Sequence, residues 1–129
     1  MDLPPGIKGI GERIVSEQNT AKTMGSGTLD VFATPSMIAL MEQTAYKSVE
    51  PYLEKGNGTV GTDLQIKHIS ATPIGMKVTC ESELIEVDGR RLVFQVTAAD
   101  EKGEIGGGKH ERFIIQNDRF QMKANEKQG

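Results

Sequence analysis

One stretch carries a helical period, and everything else has to pack against it. Ala33–Val49, ATPSMIALMEQTAYKSV, places Thr34 as an N-cap whose side-chain oxygen takes a free amide hydrogen of the first turn. Pro35 follows at the first helical position, where its missing N–H costs nothing. At about 100° per residue, Ile38, Met41, Ala45 and Val49 form one apolar stripe. Glu42 falls on that stripe, between Ile38 and Ala45. A carboxylate on a buried helix face is costly unless it is paired or protonated, so it needs a partner or a job.

The rest of the chain is built on a shorter period. Thr59–Ile69 alternates, with Val60, Thr62, Leu64, Ile66 and His68 on one face and Asp63, Gln65 and Lys67 on the other. This is the two-residue period of a half-buried strand. Thr72-Pro73-Ile74-Gly75 is a turn, Lys77–Val87 a strand, Asp88-Gly89 a hairpin signal and Arg91–Ala99 the returning strand. After a turn at Glu101-Lys102-Gly103 comes a last strand, Glu104–Gln116. Its Gly106-Gly107-Gly108 predicts a bulge or a close backbone approach. Gly11–Thr23 reads as a first strand, residues 1–10 as a surface arm, and residues 121–129 as a frayed polar tail. The order is strand, helix, then four strands in hairpin succession. One helix on one antiparallel sheet is an α+β layer arrangement, and the sheet face or edge left uncovered points to a homodimer.

Length and charge narrow the function. With 129 residues the chain makes a single domain, 1–129, able to bury one core without a staple. Its lone cysteine, Cys80, excludes an internal disulfide and a cysteine-based zinc site, which fits a cytoplasmic location. MDLPPGIKG has no apolar run, so no signal peptide is expected. No stretch approaches the roughly 20 apolar residues of a membrane span. A net charge of −3 with interspersed signs argues against a nucleic-acid partner.

Two uncommon side chains converge. His68 shares the strand face that packs on the helix, and Glu42 lies on the helix stripe that packs on the sheet. They meet within the fold or across a dimer interface. A carboxyl and an imidazole placed together suit proton transfer near neutral pH. The plain alternatives are a structural carboxylate and a satisfied core histidine. Thr34 is first an N-cap, yet a cap also stands at the positive end of the helix dipole, where backbone amides favour an oxyanion. Lys109, His110 and Arg112 read as a solvated strand face able to grip a phosphate. The triple glycine lacks the frame of a phosphate loop. No ligand-spacing motif supports a metal site built from Glu42 and the two histidines.

Four segments carry a resemblance: VFATPSMIALMEQTA (31–45), GTVGTDLQIKHISATPIGMKV (58–78), DGRRLVFQVTAAD (88–100) and EIGGGKHERFII (104–115). Together they resemble the fluoroacetyl-CoA thioesterase-like branch of the hotdog-fold superfamily over nearly all of residues 8–123. The resemblance implies one long helix wrapped by a five- or six-stranded antiparallel sheet, paired into a dimer or further into a tetramer, with active sites at the subunit interface. It implies hydrolysis of an acyl-CoA partner, with no cofactor beyond the coenzyme A of the substrate. The catalytic threonine, glutamate and histidine of the family fall on Thr34, Glu42 and His68. The glycine that approaches the substrate carbonyl falls on Gly61, and an arginine near the substrate on Arg112. In the implied chemistry Glu42 acts as base or transient acyl acceptor, and His68 orients carbonyl or water and shuttles a proton. Thr34 bonds to Glu42 or the attacking group, and the Gly61 amide binds the oxyanion. A non-catalytic acyl-CoA-binding module and a hydroxyacyl-thioester dehydratase of the same fold are the rival readings. The sequence departs from the fluoroacetate-specific pattern before the helix. TMGSGTLD supplies no aromatic lid residue ahead of Phe32, so an acyl group other than fluoroacetyl is expected.

Overall fold

The computed structural model describes residues 3–129. In chain order the elements are β1 (Lys8–Ile14), α1 (Ala21–Met24), α2 (Thr34–Val49), β2 (Asn57–His68), β3 (Lys77–Asp88), β4 (Arg91–Asp100), β5 (Gly103–Gln116) and α3 (Asn117–Asn125). Short 3₁₀ turns follow α2 at Glu50–Tyr52 and α3 at Glu126–Gln128. The five strands form one antiparallel sheet in the order β1-β3-β4-β5-β2.

The long helix α2 buries Met37, Leu40, Met41, Thr44, Ala45 and Val49. Val78, Cys80 and Leu84 of β3, Leu92, Phe94, Val96 and Ala98 of β4, and Ile105 of β5 meet it from the sheet. Each fully buried Leu or Phe contributes about 1.5–3 kcal/mol over leaving it in water, so this single layer of contact holds the domain together. The buried stripe is broader than Ile38, Met41, Ala45 and Val49 and is turned away from Ile38, which is only half-buried. Glu42 therefore sits at the margin of the stripe, its side chain 38% exposed.

Four expectations need correction. The first strand runs Lys8–Ile14 instead of Gly11–Thr23, and Ala21–Met24 is a helical turn capped by Thr20. Within the expected surface arm, Leu3 and Ile7 are buried and 8–10 belong to the sheet; residues 1–2 lie outside the described residues. The cause is helix packing. A Cβ on Gly9 would come within 2.8 Å of the Thr44 carbonyl and the Ser48 side chain, and one on Gly11 would press on Thr44 Oγ1. Glycines there are a strand's close approach to α2, not a loop. The tail forms α3 and a 3₁₀ turn, capped by the Gln116 side chain accepting from Arg119 N at 2.7 Å. Finally, β2 does not lead into β3 by a hairpin. It crosses to the far edge beside β5, leaving its other side unpaired among the described residues.

The two tight hairpins fall where the turn residues place them. Asp88 faces Arg91, with Gly89 at φ +61°, and Asp100 faces Gly103. The triple glycine makes the expected close approach, and a bulge at Ile105 directly precedes it. The β4–β5 register shifts between Ala98 and Ala99, and a Cβ on Gly106 would lie 2.8 Å from Met37 of α2. Gly108, at φ +153°, lets the Gln65 carbonyl of β2 come closer than any Cβ would permit.

Candidate active site

The start of α2 is set by backbone contacts. The Phe32 amide donates to the Thr72 carbonyl at 2.8 Å and the Ala33 amide to the Asn19 carbonyl at 2.9 Å. This holds Ala33 extended as the N-cap residue, with no side-chain cap bond. Thr34 is thus the first helical residue and not the cap, and its hydroxyl is free for another partner. That partner is His68, the last residue of β2: Thr34 Oγ1 and His68 Nδ1 share a hydrogen bond of 2.7 Å. Burial pushes the His68 imidazole below its ordinary range, opposed by the nearby Ser70 backbone. Among the described residues, His68 Nε2 is buried without a hydrogen-bond partner. Thr34 and His68 line an open cleft of about 300 Å³ together with Phe32, Ser26, Ile69 and Ala71.

A second cluster surrounds Glu42. Arg112 Nη1 lies 3.5 Å from Glu42 Oε2. The guanidinium is buried, donates from Nε to Thr59 Oγ1 at 2.7 Å and from Nη2 to the Thr59 carbonyl at 2.9 Å, and sits 5.5 Å over the Tyr46 ring. Burial lowers the Arg112 pKa and the neighbouring Glu42 opposes this, foremost among its charged neighbours. Gly61 completes the cluster: a Cβ there would stand 2.7 Å from Glu42 Oε2.

The route by which Gly61 and His68 both face the helix differs from strict alternation. A bulge shifts the β2–β5 register between Gly61 and Asp63. Gly61 is opposite Arg112 and Leu64 opposite His110, so Gly61, Leu64, Ile66 and His68 share the inner face. Val60 and Thr62 leave it, because the extra residue inverts the phase of the strand. His110 and Arg112 are not a solvated face. They are 0% and 6% exposed, whereas Lys109 between Gly108 and His110 points outward.

Glu42 and His68 are not brought together within one chain. No hydrogen bond or ion pair joins them among the described residues; the imidazole next to Glu42 is that of His110, with Nε2 4.0 Å from Oε2. Nor does Thr34 bond to Glu42. Eight residues of helix separate the two by roughly 12 Å along the axis, and Gly61 and His68 stand roughly 20 Å apart along β2. The expected set is therefore two half-sites: Thr34 with His68, and Glu42 with Gly61 and Arg112. The histidines and Glu42 do not gather as metal ligands either, since no group of three such side chains assembles among the described residues.

His110, expected on a solvated face beside Lys109 and Arg112, is instead a buried neighbour of Glu42. The alternation that turns Arg112 inward turns His110 inward too, and that was the available signal.

Residues 15–118 match the family model of fluoroacetyl-CoA-specific thioesterases. The chain belongs to this family. Fluoroacetyl-CoA thioesterase from Streptantibioticus cattleyicolor is 45% identical over 98 residues, covering 76% of this chain and 70% of the relative. The solved fluoroacetyl-CoA thioesterase FlK superposes with a TM-score of 0.93 at 35% identity, covering 98% of both chains. A threonine-to-serine mutant of FlK in complex with acetyl-CoA superposes equally well, at 0.93 and 34% identity, over 98% of this chain and 100% of that one. As a fluoroacetyl-CoA-specific thioesterase family member, the chain has the hotdog arrangement with a five-stranded sheet. No aromatic residue precedes Phe32 in the sequence. The segment before α2 is a four-residue helical turn and a loop, and Phe32 is buried in the core.

Proposed function

We propose that the protein hydrolyses a small acyl-CoA at a site shared between two subunits of a homodimer. The observation that carries this reading is the split of the set into two half-sites, neither of which holds both an acid–base carboxylate and the Thr34–His68 pair. The unpaired edge of β2, with Leu64 44% exposed at its middle, is the surface that joins them. An antiparallel pairing of two such edges centred on Gln65, with Thr62 left as the extra residue of the bulge, sets Gly61 of one protomer opposite His68 of the partner subunit. Each dimer then has two composite sites, related by the two-fold axis.

In each site the thioester carbonyl lies between the half-sites. Glu42 takes a proton from the attacking water, or attacks as a carboxylate to form a transient anhydride that water then opens. The Gly61 amide stabilises the oxyanion. Thr34 and His68 of the partner subunit orient the carbonyl or the water. When the C–S bond breaks, the coenzyme A thiolate leaves with the electron pair, and His68 relays the proton that reprotonates it. Arg112 holds Glu42 in place. With no aromatic residue ahead of Phe32, the acyl group is a small one other than fluoroacetyl. The buried free thiol of Cys80 fits a reducing, cytoplasmic setting.

The test is thiol release from a panel of short acyl-CoAs, including acetyl- and fluoroacetyl-CoA. Glu42→Ala and His68→Ala are each expected to lower kcat by roughly 10²–10⁴-fold. Co-expressed and purified as a mixed dimer, the two variants restore one intact site. Recovery of up to half the wild-type rate supports the shared site. A mixed dimer as inactive as its parents overturns it, and wild-type rates in Glu42→Ala overturn the thioesterase role of Glu42.

A further inference from the structure

His110 is fully buried, titratable and adjacent to Glu42, yet no step of the proposed hydrolysis uses it. Its surroundings leave little freedom. Nδ1 is 2.9 Å from the Asp63 carbonyl, a group that can only accept, so Nδ1 carries the hydrogen and donates. Nε2 is 3.1 Å from Arg112 Nη1, a group that can only donate, so Nε2 offers its lone pair. Phe94 stacks on the ring, with centroids 6.4 Å apart and planes at 29°, and fixes its plane. A Cβ on Gly61 would lie 3.2 Å from Cε1, so the ring also borders the glycine of the Glu42 half-site.

We propose that His110 is a positioning residue: as the neutral Nδ1–H tautomer it accepts from Arg112 and holds that guanidinium against Glu42. The inference deepens the thioesterase reading and rests on it for its kinetic consequence alone. Arg112 Nη1 has two hydrogens. One is directed to His110 at 3.1 Å and the other to Glu42 at 3.5 Å, while Nε and Nη2 are anchored on Thr59. Without the lone pair of His110 the guanidinium loses the contact that fixes its rotation on the Glu42 side. A protonated His110 would oppose an N–H to the Arg112 cation at the same 3.1 Å. The charged groups facing the ring are Arg112, Glu42 and Asp63; Arg112 repels a proton on it and the two carboxylates attract one. Burial is the largest influence and favours the neutral ring.

Two measurements test this. The chain has two histidines, so long-range ¹H–¹⁵N spectra of the wild type and of His68→Gln assign both rings. At neutral pH the His110 ring is expected to show a protonated Nδ1 and a bare Nε2. An Nε2–H tautomer or a charged ring overturns the proposal, whether or not any thioester is hydrolysed. The second measurement is kinetic. His110→Gln places a carbonyl oxygen near the Nε2 position, whereas His110→Asn keeps a donor toward Asp63 but falls short of Arg112. His110→Asn is expected to lower kcat by roughly 10- to 100-fold, the span of one charge-assisted hydrogen bond, with little change in KM. His110→Gln is expected to regain most of the loss. Equal impairment of both variants reduces His110 to core packing and overturns the proposal, as does an unimpaired His110→Asn. If either variant fails to fold, the spectra of the wild type still decide.

Discussion

Thr34 Oγ1 lies 2.7 Å from His68 Nδ1 and ties the first turn of α2 to the last residue of β2. The bond exists because the helix is capped by the extended backbone at Ala33, which releases the hydroxyl from capping duty. Thr34→Val keeps the shape and deletes the bond, and is expected to lower kcat about tenfold or more. Thr34→Ser keeps the hydroxyl and most of the rate. Thiol-release kinetics on the two variants checks this; a Thr34→Val enzyme as fast as wild type removes the hydroxyl from the chemistry.

Gly61→Ala separates catalysis from stability. The added methyl meets Glu42 Oε2 at 2.7 Å, the far end of a flexible side chain, and the Arg112 and His110 side chains at 3.3 and 3.2 Å. Glu42 yields while the sheet stays intact, so unfolding stability is expected to change by no more than about 1 kcal/mol. The carboxylate is displaced from its half-site, and kcat is expected to fall at least about tenfold. Thermal unfolding and kinetics on one preparation give both numbers, and a full-rate Gly61→Ala enzyme contradicts the placement.

Gly108→Ala is the opposite case. The methyl would run into the backbone carbonyl of Gln65, and the residue sits at φ +153°. Neither obstacle can rotate away, so the β2–β5 ladder must give. A loss above about 3 kcal/mol is expected, which lowers Tm by more than about 10 °C for a domain of this size. Calorimetry checks it, and a wild-type Tm would show that the strand relaxes at no cost.

Acid should loosen the fold before carboxylates titrate. Burial lowers the pKa of both His68 and His110. Below the ordinary imidazole value of about 6.5, the unfolded chain binds protons that the folded chain refuses. Stability is therefore expected to fall as pH drops from about 6.5 through the lowered folded values, since the unfolded state binds more protons there. Melting curves between pH 7.5 and 5 test the sign, and His110→Gln should flatten part of the slope. A Tm that holds steady across this interval contradicts it.

What could be read from the residues followed what each residue reveals locally. Pro35 and the 3.6-residue spacing marked α2, and turn chemistry at Asp88-Gly89 and Glu101-Lys102-Gly103 marked the hairpins. Glu42 was found as an oddity on an apolar face, although the true stripe is wider and leaves it at the rim. Features that depend on distant partners stayed hidden. Gly9 and Gly11 look like loop residues until Thr44 and Ser48 are packed against them. α3 buries no residue and is polar on average, so its composition resembles that of a frayed tail. The burial of His110 and Arg112 depended on which face of β5 the rest of the fold covers. The pairing of Glu42 with Arg112 instead of His68 needed the dimensions of the helix and strand.

The extra residue in β2 makes register a functional quantity. Were Thr62 taken into the ladder opposite Arg112, strict alternation would turn Asn57–Gly61 inside out as a block. Thr62 would then aim a branched side chain into the space that Gly61 leaves beside Glu42, and Thr59 would lose its grip on Arg112. A slip of one residue there would disarm the enzyme with every proposed catalytic side chain still encoded.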